Sequence, residues 1–470
     1  MRIPKAPPKV ADLLEKLKEE DPSKIFTVLT QATSNVVTDA YIPWDKLRYK
    51  TPPPNLTTEQ WWLGVRTARI AFQRILPISD TGGKPFTYAL TDDILRKVEW
   101  INRDASGSIG IGDRVANSSN RDRYIVNSLI EEAITSSQLE GAATTRRVAK
   151  EMIRTGRKPR TRDEKMILNN YRGMQRIREI QSESLTPRLI LEIHRILTED
   201  TLDNPDTAGR FQRPDEVRVE VYSMENDLLH APPPAEQIED GIQRICDFAN
   251  QKLDTSYIPP VLRAIVIHFA LAYLHPFEDG NGRASRAIFY WSMLNQGYWL
   301  AEFISISRII KGAPAKYARS FLYSEQDEGD LTYFITFQMD VVTRAIKDLH
   351  DYLKRKIDEL KHLQRYLAAV PGELNYRQLA LIEHAIKNPA AQFSAHSHAT
   401  SHNVARETAR QDLIQLQERG LLIRRKMGKS FIWMPVPDIA GHLKDLNSSS
   451  NYRDVAETAD GTKVSADLTT

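Results

Sequence analysis

Helical periodicity between about residues 120 and 350 constrains the fold of this chain more than any other feature of its sequence. Apolar and charged side chains recur there with the 3.6-residue period of an amphipathic α-helix. The pattern predicts a mainly α fold with a helical core. The predicted helices cover residues 122–139, 163–181, 186–200, 236–252, 260–274, 283–296 and 330–355.

A short stretch inside this helical region alternates with a period of two residues instead. Val217, Val219 and Val221 are separated by charged residues, a turn signal follows at 224–227, and residues 228–231 are extended again before three prolines. We therefore expect a β-hairpin. Because an isolated two-stranded hairpin is only marginally stable, we expect it to lie over a surface of the helical domain.

The sequence before the helical region predicts two more helices, at residues 10–20 and 58–75. The second begins with the Thr and Gln of a capping box at 57–60. Its aromatic stripe, which includes Trp62 and Phe72, is expected to pack against the next domain. No chemistry is indicated in this part of the chain.

The sequence after the helical region predicts a small basic module. Helices at 375–387 and 404–418 are followed by a ribbon at 421–433, which is the order of a winged helix. The last residues are poor in large apolar side chains and are expected to be disordered. The predicted parts are an N-terminal helical region at 1–110, a helical domain at 111–365, a winged helix at 366–440 and a tail at 441–470.

Composition narrows the functional classes. The formal net charge is +3, which excludes a generally basic nucleic-acid coat but leaves room for a local basic patch. Cys246 is the single cysteine, so an internal disulfide is excluded and a reducing compartment is indicated. The most apolar stretch, 264–274, is too short to span a bilayer. We expect a soluble, cytoplasmic protein without a membrane partner.

One junction between two predicted helices carries most of the chemical information. Residues 274–286 read LHPFEDGNGRASR. The Gly280-Asn281-Gly282 sequence can point several backbone N–H groups at one spot, because glycine tolerates positive φ and asparagine does so more than most residues. The following helix adds the unpaired N–H groups and the positive dipole end of its first turn. Together these features predict an anion-binding nest.

Side chains suited to phosphate chemistry surround this nest. Arg283 and Arg286 are three residues apart, so they occupy neighbouring positions on the first turn of the helix. Asp279 offers a hard oxygen ligand for Mg²⁺. The ordinary pKa of a histidine side chain lies near neutral pH, which suits His275 to act as a general base. Each feature alone has an ordinary structural explanation, but their joint occurrence predicts a site of phosphate chemistry.

The stretch resembles the motif of the Fic family, His-x-Phe-x-Asp/Glu-Gly-Asn-Gly-Arg-x-x-Arg, at every specified position. The resemblance implies a helical Fic fold that transfers AMP from ATP, with Mg²⁺, to a Tyr, Ser or Thr hydroxyl of a protein, which can be the chain itself. It also implies a role for each matching residue. His275 would be the base, Asp279 the metal ligand, Gly280, Asn281 and Gly282 the phosphate cradle, Arg283 and Arg286 phosphate ligands, and Phe277 a structural anchor.

A weaker resemblance concerns the hairpin. Its position is similar to that of the family's target-binding flap, which implies that Val217, Val219 and Val221 hold an extended target segment by β-augmentation. A hairpin that only covers the fold remains the alternative.

A second motif lies upstream of the loop. Ser136, Glu140 and Gly141 match the Fic inhibitory pattern Ser/Thr-x-x-x-Glu-Gly/Asn at the predicted end of the 122–139 helix. The resemblance implies that the Glu140 carboxylate pairs bidentately with Arg286 and repels the γ-phosphate of ATP. The same glutamate could instead orient water for removal of AMP from a modified target. The sequence leaves this choice open.

The C-terminal module could contact DNA. Arg406 and Arg410 lie on the predicted 404–418 helix, and the basic ribbon carries Arg424, Arg425, Lys426 and Lys429. Protein binding or homodimer formation is the alternative. A zinc site at His396, His398 and His402 is disfavoured, because no fourth ligand is nearby, and a polar surface is expected there. The rival function for the whole chain is a DNA-binding regulator whose Fic fold only senses nucleotide.

Overall fold

The computed structural model describes residues 2–31, 41–106, 118–223, 225–367, 374–388, 390–427, 430–437 and 439; at 31, 106, 118–126, 356–367 and 387 it describes the backbone only. The described residues fall into two compact units. The first lies within Met1–Ile109, Ser128–Ala149 and Pro159–Lys347, and the second within Gly110–Asn127, Lys150–Lys158 and Asp348–Thr470. The domain limits given above stay predictions.

The N-terminal part of the first unit contains helices and one hairpin. Its helices are α1 Val10–Glu20, α2 Lys24–Gln31, α3 Trp44–Leu47, α4 Thr58–Ile70 and α5 Asp92–Ser106, and strands β1 Gln73–Ser79 and β2 Pro85–Ala89 pair antiparallel between α4 and α5. Both predicted helices are present, and the capping box of Thr57 and Gln60 forms.

Two predictions for this part are wrong in detail. Helix α4 ends at Ile70, not at residue 75, because the side chains then alternate, with Leu76 and Ile78 buried, and Pro77 cannot continue a helix. The aromatic stripe also packs differently: Trp62 lies in a local core with side chains of α1, α2 and α3, and Phe72 is exposed.

The helical domain confirms the mainly α prediction. Each of the seven predicted helices forms, with ends shifted by a few residues at most, and the charged pattern after residue 355 continues the last of them to Leu367. Helices α11 and α12 lie at the centre, and nearly every one of their side chains is buried. The helices of this region are α6 Ser118–Leu139, α7 Arg146–Thr155, α8 Arg162–Glu179, α9 Pro187–Thr198, α10 Ile238–Ala249, α11 Pro260–Leu274, α12 Asn281–Asn295, α13 Ile306–Lys311, α14 Pro314–Gln326 and α15 Thr332–Leu367.

The predicted hairpin is present but shorter than expected. Strands β3 Val221–Tyr222 and β4 Leu228–His230 pair antiparallel, whereas residues 217–220 form no strand. The reason lies in Arg218, whose guanidinium turns inward to backbone carbonyls instead of standing on a sheet face. Gln212 also donates to the Val217 carbonyl, which removes that acceptor from any strand ladder.

The second unit has its own small core. Helices α16 Tyr376–Lys387, α17 Ala395–His402 and α18 Arg406–Glu418 precede the antiparallel ribbon of β5 Leu422–Met427 and β6 Ser430–Pro435. Leu381, Leu413, Leu416 and Trp433 are among its buried residues. The order of elements agrees with the predicted winged helix, which stays a prediction. Lys429 and the predicted tail at 441–470 lie outside the described residues.

The polar surface predicted for the three histidines is wrong for two of them. His398 and His402 are buried on α17, and the His398 Nε2 atom lies 3.2 Å from the Asp412 Oδ2 atom. Only His396 is exposed, and its Nε2 atom contacts the Thr155 carbonyl oxygen at 2.8 Å. Across the described ranges, no group of three or more potential metal-ligating side chains occurs.

Two further features concern the single cysteine and the hydropathy of the helices. Cys246 is a buried residue of α10, and burial raises the pKa of its thiol to about 12, so it is an inert core side chain. In the part of the chain that the structure describes, no helix has the length and hydropathy needed to cross a bilayer.

Candidate active site

The loop between α11 and α12 begins and ends on left-handed residues. His275 caps α11 with φ 49° and ψ 54°, and its N–H donates to the Leu271 carbonyl at 3.1 Å. Gly280 precedes α12 with φ 86°. At Gly280 an added Cβ would lie 2.8 Å from the Thr198 Cγ2 atom, so both the conformation and the space favour glycine.

A buried ring and one amide hold this loop in place. Phe277 is fully buried and stacks on the His194 ring, with 3.7 Å between centroids and 4° between planes. The Asn281 side chain accepts from the Phe277 N–H at 2.9 Å and donates to the Phe277 carbonyl at 2.8 Å. The Asn281 amide is therefore committed to the loop, and this residue can offer an anion only its backbone N–H.

His194 is a second support for the loop, although no sequence motif predicts a role for it. Its Nδ1 atom accepts from the Gly209 N–H at 3.0 Å, so the proton lies on Nε2, which donates to the Asp279 carbonyl at 2.8 Å. Burial lowers the pKa of His194 to about 4, which keeps the ring neutral. Its signal in the sequence is a histidine on the otherwise apolar face of α9.

Asp279 and Arg283 form a pair in which only the carboxylate faces solvent. The Arg283 Nη2 atom lies 3.1 Å from Asp279 Oδ2, and its Nη1 donates to the Leu197 carbonyl at 3.1 Å. The Asp279 side chain is 47% exposed, whereas that of Arg283 is fully buried. Arg283 thus holds Asp279 against the start of α12. Its predicted role as a phosphate ligand stays a prediction.

Arg286 and Glu140 are in direct contact over the first turn of α12. The Arg286 Nη2 atom lies 2.8 Å from Glu140 Oε1, and Arg286 also donates to the Ser136 hydroxyl at 3.0 Å and the Ser136 carbonyl at 3.1 Å. An added Cβ on Gly282 would lie 2.2 Å from Glu140 Oε1. The Glu140 carboxylate therefore lies directly against the predicted anion nest.

The end of α6 is shaped to deliver Glu140 to this position. Helix α6 ends at Leu139, and Gly141 has φ 94°, which lets the Ala142 N–H turn back to the Ser137 carbonyl at 3.0 Å. Upstream, the buried Glu132 carboxylate accepts from Tyr290, from the Ser305 hydroxyl just before α13 and from the Ser307 N–H in the first turn of α13. These contacts fix α6 independently of Glu140.

The electrostatic environment of His275 differs from the expectation of an ordinary imidazole. Burial lowers the pKa of His275 to about 4, with further lowering by the positive charges of His230 and Arg218 and a smaller opposing effect of Glu140. The ring is therefore neutral at pH 7. Its Nδ1 atom lies 3.4 Å from the Ala272 carbonyl oxygen. Among the described residues, the opposite nitrogen, Nε2, has no hydrogen-bond partner.

The valines predicted to bind a target and the residues predicted to contact DNA lie outside the 275–286 loop. Val217 is exposed, and Val219 and Val221 are half-buried. The hairpin reaches the site through His230, whose ring centroid is 6.4 Å from that of His275. Neither His230 nor Arg218 was predicted to act there. In the second unit the predicted DNA contacts that the structure describes, Arg406, Arg410, Arg424, Arg425 and Lys426, are exposed.

Comparisons with known proteins agree with the loop motif. Residues 184–293 match the model of the Fic/DOC family. A protein adenylyltransferase Fic from Nematostella vectensis is 31% identical over 118 residues, which are 25% of each chain. A protein of the same name from Drosophila willistoni is 29% identical over 167 residues, covering 36% of this chain and 30% of that protein. The chain thus spans about a quarter to a third of the length of these curated relatives.

Solved structures with the same family name also match. A Fic family protein from Desulfovibrio desulfuricans has a TM-score of 0.46 and 16% identity, covering 75% of this chain and 98% of that chain. Fic-1 from C. elegans has a TM-score of 0.45 and 18% identity, covering 74% and 89%. The family match, which contains the whole 275–286 loop, rests on the sequence. This chain therefore carries a domain of the Fic/DOC family at residues 184–293.

Proposed function

We propose that this chain transfers AMP from ATP to a hydroxyl group of a protein. The observation that carries the proposal is the convergence of three elements. A neutral histidine, His275, ends α11, the glycine-rich start of α12 offers unpaired backbone N–H groups, and a buried cation, Arg286, stands above them. Such an arrangement can bind a triphosphate and remove a proton from a nucleophile beside it.

The proposed reaction uses the loop residues as follows. The target hydroxyl oxygen attacks the α-phosphorus of ATP while His275 Nε2 takes its proton. The bond from the α-phosphorus to the bridging oxygen breaks, and pyrophosphate leaves. The backbone N–H groups of Asn281 and Gly282 bind the phosphate oxygens. The Gly280 N–H instead donates to the Asp279 carboxylate at 2.5 Å, so Gly280 contributes its positive-φ turn to the cradle. Arg286 binds the γ-phosphate once Glu140 has moved away.

The donors at the loop fit one magnesium ion carried in with ATP. Mg²⁺ bound with a nucleotide takes one or two protein carboxylates and fills its remaining positions with phosphates and waters. Asp279 supplies one half-exposed carboxylate, held by the buried Arg283. We therefore propose Asp279 as the protein ligand. The ion would neutralise charge on the phosphates.

We propose that Glu140 inhibits this activity. Its carboxylate occupies the guanidinium of Arg286 and lies against Gly282, so a γ-phosphate would meet a negative charge where it needs its cation. Ser136 and Gly141 serve the same purpose, because Ser136 binds Arg286 and Gly141 lets the chain turn. The described contact joins one carboxylate oxygen to Arg286, which leaves the other able to orient water for removal of AMP from a modified target.

We propose that the β3–β4 hairpin receives the Tyr, Ser or Thr segment of the target protein, which can belong to a second copy of this chain. Tyr222 and Leu228 expose apolar surface there, at 50% and 45%. Because β3 has only two residues, it can form few backbone hydrogen bonds with a target segment. Contacts outside the hairpin must therefore contribute to the affinity for the target. A hairpin that only covers the fold is the alternative.

The fate of the ATP phosphates tests the proposed transfer. The Glu140→Gly chain is incubated with cell extract and ATP labelled on either the α- or the γ-phosphate. Label from the α-phosphate is expected on protein, in the chain itself or in a target, and γ-label is expected in released pyrophosphate. Protein-bound label from the γ-phosphate would indicate a phosphotransferase. Nucleotide binding without any protein label would favour the nucleotide-sensing regulator.

The second unit supports a separate proposal, DNA binding through the β5–β6 ribbon. Arg424, Arg425 and Lys426 are consecutive and exposed, and the Arg424 guanidinium stacks over Phe431 at 4.7 Å, leaving its edge free for a phosphate. On α18, Arg410 is paired with Glu407 at 2.8 Å, which weakens the case for that helix.

Salt dependence of duplex binding by the full chain tests this surface. Replacing Arg424, Arg425 and Lys426 together with alanine should weaken binding and flatten the slope of log K against log salt by about 2 to 3, roughly one unit for each lost phosphate contact. The exposed Lys18 on α1 provides a control substitution to alanine that should leave both unchanged. An unchanged slope in the ribbon variant would contradict the proposal.

A further inference from the structure

Two cationic side chains from the hairpin region bind the last carbonyl groups of α11. His230 Nε2 donates to the Tyr273 carbonyl at 2.7 Å. Arg218 Nη2 donates to the Leu274 carbonyl at 2.8 Å and to the His275 carbonyl at 3.0 Å. The final carbonyls of a helix lack partners within the helix and carry the negative end of its dipole, so cations are favoured there. Three consecutive acceptors are thus satisfied from outside α11.

The contacts of His230 require both of its ring nitrogens to carry protons. Nδ1 lies 2.8 Å from the Glu325 carboxylate of α14, and Nε2 lies 2.7 Å from the Tyr273 carbonyl. Both partners are acceptors, whereas a neutral imidazole has a single N–H. Burial alone would lower the pKa of His230, but the hydrogen bond and charge of Glu325 outweigh it, and the pKa is raised above its ordinary value. The two acceptor contacts thus assign the imidazolium form to His230.

This imidazolium lies beside the proposed base. The two ring centroids are 6.4 Å apart, and the His230 side chain is only 10% exposed, so solvent screens the interaction weakly. The charged groups around His275 are His230 and Arg218 from the hairpin region and Glu140 from the end of α6. The two cations favour the neutral form of His275, and Glu140 opposes them.

Building on the proposed transferase, we propose that His230 is a positioning residue: a fixed imidazolium that, with Arg218, fastens the hairpin to the end of α11 and extends to lower pH the range in which the base His275 is neutral. Strand β4 ends at His230, so the hairpin and the base His275 are coupled through the charge of this imidazolium. A target segment that pairs with the hairpin would be held against the same helix terminus that presents the base. Glu325 contributes to this coupling, because its carboxylate keeps His230 charged.

The consequence is a shift in the pH range over which His275 is protonated. With His230 charged, His275 becomes protonated only near pH 4. Removing a unit charge 6.4 Å away, in a partly buried site, should raise the pKa of His275 by ~1 to 2 units. The acidic limb of the pH–rate profile should move up by the same amount.

Two variants test this in the Glu140→Gly chain, so that the charge of Glu140 is absent throughout. His230→Gln removes the imidazolium but can still donate to the Tyr273 carbonyl. Glu325→Gln leaves an amide oxygen for Nδ1 but no charge, so the pKa of His230 should fall. Histidine titration by NMR with ring-labelled protein measures both pKa values without turnover. His275→Ala and His230→Gln identify the two resonances, and His396→Gln serves as a matched control.

We expect His230 to titrate above pH 6.5 in the Glu140→Gly chain, and His275 to shift upward by ~1 to 2 units in both variants, with no shift in the control. A His230 that titrates below pH 6.5, or a His275 titration that neither variant moves, would overturn the inference. A fall in rate that is equal at every pH would likewise indicate a structural role only. Since the NMR titration needs no AMP transfer, its result is separate from that of the labelling experiment.

Discussion

Replacing Glu140 with glycine is expected to raise the initial rate of AMP transfer by about 10- to 100-fold. Arg286 is 2% exposed and its guanidinium is paired with the Glu140 carboxylate, which also lies where Gly282 would approach a phosphate. A γ-phosphate must therefore displace a carboxylate from a buried cation before it binds in a productive pose. A rate change of this size corresponds to a lowering of the activation free energy by roughly 1.4 to 2.8 kcal/mol. That is less than the about 3 to 5 kcal/mol that breaking a buried ion pair costs.

The substitution should free Arg286 without releasing α6 from the fold. Position 140 follows the last helical residue, so glycine costs no helix propensity there. The Glu132 carboxylate holds the same helix by accepting from Tyr290 at 2.9 Å and from the Ser305 hydroxyl at 2.8 Å. Ser136 remains in contact with Arg286. The expected result is thus an open phosphate site in an otherwise unchanged first unit.

Charge and size can be separated with matched variants. Glu140→Gln keeps the bulk and removes the charge, and should give an intermediate gain. Glu131→Gln is the control: Glu131 lies on the same helix and is paired with the exposed Arg146 at 2.6 Å. The rate of α-phosphate label incorporation measures all three. A Glu140→Gly chain no faster than the parent, or an equal gain from Glu131→Gln, would contradict inhibition by Glu140.

Local sequence patterns were sufficient to predict the helices. The apolar run 260–274 and the capping box at Thr57 were placed correctly because both depend on residues close in sequence. The loop motif could be recognised for the same reason, since all of it lies within 275–286. The helix prediction is wrong where a helical pattern overlaps a strand pattern. The apolar spacing of α4 continues into β1, and this hides the change to a two-residue period after Phe72.

Contacts between distant segments could not be predicted from the same patterns. The motif alone does not show how the two buried arginines differ in their partners. Arg283 binds the Leu197 carbonyl on α9, whereas Arg286 binds Ser136 and Glu140 at the end of α6. From the sequence pattern, His230 is predicted only to lie in the second strand of a hairpin. Its role arises from Glu325, 95 residues later, and from the Tyr273 carbonyl. Such partners are set by packing, which a periodicity does not encode.

The strand predicted at 217–221 shows how packing overrides a local pattern. Alternation of valine with charged residues favours a strand, but Arg218 gains more from α11, whose terminal carbonyls would otherwise lack partners. The charged side chain that should have faced solvent is thereby drawn inward. The inward turn of the Arg218 side chain therefore shortens the strand and also joins the hairpin region to the end of α11, next to the proposed base.

Substituting alanine for His275 in the Glu140→Gly chain is expected to lower the transfer rate by ~100- to 10,000-fold, the usual contribution of a positioned general base. Because the pKa of His275 is lowered to about 4, the imidazole is already neutral at pH 7, so the parent rate should be insensitive to pH between about 5.5 and 8.

The loss should appear in kcat and not in the affinity for ATP. His275 ends α11, whereas the proposed phosphate ligands lie on α12 with Arg286, and the loop between them is fixed by Phe277 and Asn281 rather than by the imidazole. ATP affinity measured by calorimetry should therefore stay within about threefold, and the exposed His396→Ala control should keep full activity. A variant that keeps its rate would remove His275 from the mechanism. A variant that loses ATP affinity in proportion to rate would make His275 a binding residue, because a proton acceptor acts only once the hydroxyl is in place.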